Sequence, residues 1–426
     1  MHDIKRLRQN ADDVKTAIAR KGFDADTAKA LELDTRWRQM TQRGDEFKAE
    51  LNKASKAIGM AKKAGRDAQE EMDHARSLRE QAAALDDEKR AVRAELDTLL
   101  ASWPAEPDPN APEGLTENEN LEVREWTPDE PAPDFKLQDH LALAEGLGIL
   151  DMPRGAKITG GGWPLYVGKG ARLERALINF MLDTQTGEHG YNELYVPFAV
   201  NRDSAFGTSQ LPKLEEDMYL IEKDDLFLIP TSEVPITNMH RNEIIDGDSL
   251  PLKYSAFSAC FRREAGAYGA DTRGLLRVHQ FNKVELVQIV EPETSDQTQL
   301  EILGHATEIL ERLKLRYRVL DLCCGEMSFG AARCFDIEVW APGTESWLEV
   351  SSVSNFRDFQ ARRMNLRYRA GDHGKPELPH TLNGSGLATS RLMVAVMESY
   401  QTPEGRIRIP AALQNYMGGL DQISGV

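Results

Sequence analysis

Between residues 28 and 58, apolar or small side chains recur at Leu33, Trp37, Met40, Gly44, Phe47, Leu51, Ala54 and Ile58. Steps of four and three alternate, which is the seam of a helix in a coiled coil. A second set, Ala75, Leu78, Ala82, Leu85, Lys89, Val92, Leu96 and Leu99, repeats the rhythm apart from Lys89. The stretch Gly59 to Gly65 separates the two, and its glycines suit a reversal of direction. The pattern predicts an antiparallel helical hairpin with its tip near 58–66. Ile4, Leu7, Ala11, Val14 and Ile18 predict one short amphipathic helix ahead of it. Residues 1–110 are therefore expected to form a helical arm.

The pattern then breaks. Residues 101–135 hold Pro104, Pro107, Pro109, Pro112, Pro128, Pro131 and Pro133, with ten acids and one arginine. Such a composition reads as a linker, placed at 111–135. Beyond it, residues 136–426 mix helical and strand-like stretches, so the chain as a whole is expected to be α+β.

Three stretches of this second part carry candidate chemistry. In the first, alternation around Cys260–Arg263 and His279–Glu285 predicts two strands joined by a long glycine-containing loop. Such a pair can hold an arginine fork against a phosphate and an aromatic ring against a base. Taken alone, Arg262-Arg263-Glu264 is more often a surface ion-pair cluster. The second runs from Asp336 to Ser352 through a turn at Pro342 and Gly343, and alternation is read as aligning Leu348, Val350 and Ser352 on one side. An acid and a hydroxyl near a strand end suit Mg²⁺, which prefers hard oxygen ligands, although a plain hairpin reads the same way. The third, Leu382 to Ala388, is read as a tight turn feeding a helix that carries Arg391. Gly168-Lys169-Gly170 lacks the Ser or Thr of a phosphate loop and is not read as one.

Charge refines the picture. The chain carries a net charge of −17, yet residues 1–100 are close to neutral with 21 basic and 20 acidic side chains. The arm's tip is basic, with Lys53, Lys56, Lys62, Lys63 and Arg66 and no acid between 51 and 66. A basic tip fits a phosphate backbone, although charge alone more often marks a solvated helix end. Only four cysteines are present, Cys260, Cys323, Cys324 and Cys334, in no zinc-like spacing. With no apolar run of 18 residues and charges at Asp3, Lys5, Arg6 and Arg8, a soluble cytoplasmic protein is expected.

Together the three stretches resemble the signatures of class II aminoacyl-tRNA synthetases. Phe261-Arg262-Arg263-Glu264 running to Phe281 is similar to motif 2, and Gly384-Ser385-Gly386-Leu387-Ala388 with Arg391 to motif 3. Gly190-Tyr191-Asn192-Glu193-Leu194-Tyr195-Val196-Pro197 stands where motif 1 is found. Longer strings narrow the resemblance to the seryl-tRNA synthetase family: Thr231-Ser232-Glu233, Asp271 to Phe281, Ser354-Asn355-Phe356, Phe359-Gln360-Ala361-Arg362-Arg363 and His380 to Ser385. The helical arm matches the same family, so the resemblance covers essentially the whole chain.

The resemblance implies an antiparallel sheet flanked by helices, a homodimer built through motif 1, and ATP bent over the sheet. Arg262 would meet the α-phosphate and Arg391 the γ-phosphate. Glu264 and the Val278 backbone would hold adenine, Phe281 would stack on it, and Arg263, Val350 and Ser351 complete that site. Glu349 and Ser352 would hold Mg²⁺. Thr231, Ser232 and Glu233 would receive the serine ammonium, Glu285 its hydroxyl, and Ser385 would line the pocket. The arm, through its basic tip, would meet the long variable arm of tRNA(Ser), with tRNA(Sec) a further candidate. Val353, Ser209 and Ser390 depart from the family's usual residues and are read as packing changes, whereas Ala270 removes a base from the motif 2 loop. Two rivals remain: a ligase that loads a small amino acid onto a carrier protein, and a catalytically silent RNA-binding or coiled-coil homologue. The arm argues against the first, and Arg262, Glu264, Glu285, Glu349 and Arg391 against the second.

Overall fold

The computed structural model describes residues 1–129, 133–265, 274–371 and 374–425. The chain divides into two units, Met1–Pro104 and Ala105–Val426. Among the described residues no helix is long and apolar enough to cross a membrane.

The first unit is helical: α1 (Ile4–Gln9), α2 (Ala11–Ala19), α3 (Thr27–Lys63) and α4 (Gln69–Ala101). Where the apolar spacing suggests one short helix there are two, because Asn10 leaves helical geometry at φ −140°. Leu7, Val14 and Ile18 nevertheless stay on one buried side, packed with Leu33, Val92, Leu96, Leu100 and Trp103. Asp3 and Asp26 cap α1 and α3 by accepting from the backbone N–H of Lys5 and Lys29. Further along the hairpin, Phe47, Ala54, Ala75 and Leu78 are buried as the seam requires. The reversal comes later than the glycines suggest. Gly59 is helical, and the turn occupies Ala64–Ala68 with Gly65 at φ +68°. Ala57, Met60, Ala61, Lys62 and Lys63 are strong helix formers, and together they offset the roughly 1 kcal/mol that a mid-helix glycine costs.

The second unit is built on an eight-stranded sheet. Its strands are β1 (Leu121–Trp126), β2 (Asn192–Leu194), β3 (Leu252–Phe261), β4 (Gln280–Val290), β5 (Tyr317–Asp321), β6 (Arg333–Ala341), β7 (Ser346–Asn355) and β8 (His380–Ala388). They lie in the order β1-β5-β6-β7-β8-β4-β3-β2, antiparallel except where β2 joins β3. The stretch read as a linker thus contributes a strand. Its acids do not repel it into solvent, because arginines in and just before β5 pair with them: Arg316 with Glu125 and Arg318 with Glu122. Trp126 also stacks on Tyr317 at 5.8 Å.

Helices α5 (Lys169–Gly187), α7 (Ser295–Arg312) and α9 (Thr389–Ser399) cover one face of this sheet, and the short helices α6 (Glu233–Asn238) and α8 (Phe359–Met364) lie elsewhere along it. The main core includes Leu173, Leu177 and Met181 of α5, Ile302, Ala306 and Ile309 of α7, and Leu392 to Val396 of α9. From β4 it receives Val284 and Leu286, alternate positions on one side of the strand. The tight turn expected over Leu382–Ala388 is instead β8. Gly384 serves packing rather than a turn: a Cβ there would lie 2.6 Å from Ile302 Cγ2 and 3.1 Å from Val353 Cγ2.

Candidate active site

On the opposite face of β4, the period of two brings Phe281, Lys283 and Glu285 into one row. On neighbouring β8 the same period aligns Thr381, Asn383 and Ser385, with Ser385 paired to Glu285 and Asn383 to Val287. Two loops and α9 surround these rows and close a cavity of about 890 Å³. Its lining includes Thr231, Glu233, Arg262, Glu264, Val278, Phe281, Glu349, Val350, Ser351, Ser352, Ser385 and Arg391, all named from the sequence.

Strand β7 reaches the cavity by an irregularity. Across the β6–β7 hairpin Glu349 pairs with Glu338 and Ser351 with Ile337, which leaves Val350 as an extra residue. A bulge of this kind exchanges the faces of the strand beyond it. Leu348 and Val350 are buried in the core, whereas Ser352 joins Glu349 on the other side, its Oγ 3.2 Å from Glu349 Oε1. The alternation that would align Leu348, Val350 and Ser352 is thus broken at one residue.

The floor is polar and closely bonded. Glu285 is fully buried behind the lining, where it accepts from Thr231 Oγ1 at 2.9 Å and Asn383 Nδ2 at 3.0 Å, and it is ion-paired with Lys283. Asn383 Oδ1 is buried without a partner among the described residues, although the side chain lines the cavity. A buried acceptor left open costs about 1–3 kcal/mol, so this one suits a donor brought by a ligand. Beside it, burial and then the nearby Glu285 push the Glu233 carboxyl up to about 7, against the pull of Gln360, Lys283 and Arg262. Gln360 Nε2 donates to Glu233 Oε1 at 2.7 Å.

At the other end the cavity is cationic. The Arg262 guanidinium lies 5.2 Å from the centre of the Phe281 ring. Arg391 donates from Nε to the Leu276 carbonyl at 3.1 Å and from Nη1 to the Glu349 carbonyl at 2.8 Å. The Arg391 fork is therefore fixed beside open space and the Arg262 fork stands over the Phe281 ring, an arrangement that suits a polyphosphate. Glu264 turns the chain with φ +51°, and Arg277 reaches its carboxylate at 3.4 Å. Glu349 and Ser352 offer a carboxylate and a hydroxyl, hard oxygens open to the cavity, and so fit a hard cation such as Mg²⁺. Among the described residues no group of three His, Cys, Asp or Glu side chains is arranged to hold a metal ion by itself.

Other residues named from the sequence lie off the cavity. Ser232 is fully buried with its hydroxyl 3.4 Å from the Ala256 carbonyl. Arg263 turns aside, its guanidinium 5.9 Å from the Tyr219 ring. Gly266, Gly269, Ala270, Asp271, Thr272 and Arg273 lie outside the described residues. Lys53, Lys56, Lys62, Lys63 and Arg66 are all exposed in the first unit, around the turn of the hairpin. The four cysteines are buried, and none is in a disulfide. Lys283, Asn383 and Gln360 join the site although no role is read for them from the sequence. The first two stand two positions before Glu285 and Ser385 on the same strand faces, so the strand period carried a signal for them. Gln360 had none beyond its place in a family string.

Comparison with known proteins completes the picture. Residues 1–107 match the seryl-tRNA synthetase N-terminal domain family, and residues 216–400 the tRNA synthetase class II core domain (G, H, P, S and T) family. A serine–tRNA ligase of Prosthecochloris aestuarii is 52% identical over 98% of both chains. One of Chlorobaculum parvum is 50% identical over 98% of this chain and 99% of its own. The crystal structure of seryl-tRNA synthetase from Pyrococcus horikoshii complexed with ATP superposes over 100% of both chains with a TM-score of 0.91 and 35% identity. Fold, cavity and full-length likeness agree: the chain belongs to the seryl-tRNA synthetase family, ATP-dependent class II aminoacyl-tRNA ligases.

Proposed function

We propose that this chain activates L-serine with ATP and transfers the seryl group to the 3′ end of tRNA(Ser), in the cytoplasm and as a homodimer. One observation carries the substrate assignment: a small polar floor of Thr231 and Asn383, backed by Glu285, lies in the same cavity as two arginines and an aromatic ring. Phe281 stacks on adenine, with Glu264 and the Val278 backbone at its edge. Arg262 holds the α-phosphate and Arg391 the γ-phosphate, and Val350 and Ser351 complete the wall. Glu349 and Ser352 would hold Mg²⁺, which would supply charge neutralisation at the phosphates. At the floor, Thr231 and Glu233 take the serine ammonium, Glu285 and Asn383 its hydroxyl, and Ser385 lines the pocket.

A serine carboxylate oxygen then attacks the α-phosphorus and pyrophosphate leaves, giving seryl-adenylate. The terminal ribose hydroxyl of tRNA next attacks the seryl carbonyl, and AMP leaves. Neither step needs a nucleophile from the protein; positioning and charge neutralisation by the arginines lower the barrier. Alanine is rejected because it would leave buried hydrogen-bonding groups unpaired. The basic tip of the arm, residues 1–110, holds the long variable arm of the tRNA, while residues 136–426 perform the chemistry.

The test is to incubate the purified protein with ATP, Mg²⁺, labelled serine and total tRNA. Acid-precipitable label on the tRNA with a long variable arm is expected, and purified tRNA(Sec) is tried separately. Serine-dependent exchange of pyrophosphate into ATP without labelled tRNA would indicate a carrier-protein ligase. Loss of both reactions in a folded protein would indicate a silent homologue.

A further inference from the structure

Two stretches that carry the family resemblance, Phe359–Arg363 and His380–Ser385, meet behind the amino-acid end of the cavity. Gln360 of α8 is 1% exposed and bonds on both sides: Nε2 donates to Glu233 Oε1 at 2.7 Å, and Oε1 accepts from Thr381 Oγ1 at 2.7 Å. Thr381 is itself fully buried. The direction of this relay follows from its ends. An ionised carboxylate only accepts, so the amide must present nitrogen to Glu233, and its oxygen then needs a donor, which the threonine hydroxyl supplies.

We propose that Gln360, fixed by Thr381, is a positioning residue that aims the Glu233 carboxylate at the amino group of the bound amino acid. The inference rests on the serine-binding reading given above. Glu233 needs such support. Burial and Glu285 of β4 favour its neutral form, while Lys283 of β4, Arg262 beyond β3 and Gln360 of α8 favour the charged one. The carboxyl therefore titrates at about 7, within the working range of the cavity. Loss of the Gln360 donor moves that titration upward. At neutral pH fewer molecules then carry the anion, so amino-acid binding weakens, whereas at high pH the deficit disappears. ATP, at the arginine end, is unaffected.

The experiment is serine-dependent ATP–pyrophosphate exchange across pH 6 to 9 with the full-length protein and five variants. Gln360→Met fills the space without a donor and is expected to raise the KM for serine about fivefold at pH 7, the effect of a one-unit pKa rise on a carboxyl that is half ionised there. The KM for ATP stays within about twofold, and the serine KM converges on wild type at pH 9. Thr381→Val, which keeps the shape and loses the hydroxyl, moves the pH profile the same way, and Thr381→Ser restores it. A wild-type profile for both Gln360→Met and Thr381→Val overturns the proposal. So does a Thr381→Ser variant as impaired as Thr381→Val, since packing alone would then be at work. Glu233→Gln separates the two levels. If it keeps the wild-type serine KM, the serine-binding reading of Glu233 fails. If Glu233→Gln is impaired while the relay variants are normal, only the relay fails. Gln360→Glu, which sets two carboxyls together, is expected to show the largest rise in serine KM at pH 7.

Discussion

Val350 has no partner across the β6–β7 hairpin, and this one unpaired residue decides what β7 offers to the cavity. With strict alternation Glu349 and Ser352 would point to opposite sides; the bulge brings their oxygens together at 3.2 Å. The positions that depart from family custom sort by backbone and packing. Ser209 sits at φ +65°, the left-handed region that favours the glycine it replaces, and its Oγ donates to the Thr208 carbonyl at 2.6 Å. Ser390 lies in the first turn of α9 and carries no such strain. Val353 is fully buried against Gly384. Gly384→Ala is therefore expected to destabilise the protein by about 1–3 kcal/mol, the usual range for overpacking. A lower unfolding midpoint in denaturant would show it, and an unchanged midpoint would mean that α7 moves aside without cost.

At the scale of elements, the apolar spacing of α3 and α4 was legible because a coiled-coil seam is a local, repeated pattern. Their turn was less so, since a glycine marks where a helix is allowed to end without forcing it to end there. The turn at Ala64–Ala68 leaves Lys53, Lys56, Lys62, Lys63 and Arg66 exposed. Reversal of Lys62 and Lys63 to glutamate is expected to raise the KM for tRNA about tenfold or more, because each lost phosphate contact also loses counterion release. Serine-dependent pyrophosphate exchange should stay at the wild-type level. Equal loss of both activities would remove the tip from tRNA binding. Strand β1 was hidden for a different reason. Its acids read as a solvated linker until Arg316 and Arg318, nearly two hundred residues away, are seen to pair with them.

Across the whole second unit, residues from Thr231 to Arg391 converge on one cavity, and partly buried groups outside its lining set a pH response. Burial takes His380 down to about 4 against the pull of Asp358, and burial with the neighbouring His189 does the same to His305. In the unfolded chain both imidazoles titrate near 6.5. Between pH 6.5 and 4 the unfolded state therefore binds more protons than the native one, so their contribution to stability falls as the pH falls. Thermal unfolding should show a lower midpoint at pH 5 than at pH 7.5. The drop should be smaller in His380→Gln, and a drop equal to that of the wild type would mean the buried imidazole is protonated in the native state.

The sequence by itself determined the helical hairpin, the basic tip, the family strings and a dozen of the residues that line the cavity. These depend on local periods or on contiguous motifs. Tertiary structure decided what depends on neighbours distant in sequence. It turned Leu382–Ala388 from a loop into a central strand, because Ile302 leaves room there only for glycine. It placed Lys283 beside Glu285 and left Asn383 Oδ1 open. It also joined Thr381, Gln360 and Glu233 into one relay across three elements. Alternation along a strand gives the face of a side chain, but the partner on that face is set by which strands and helices pack against it.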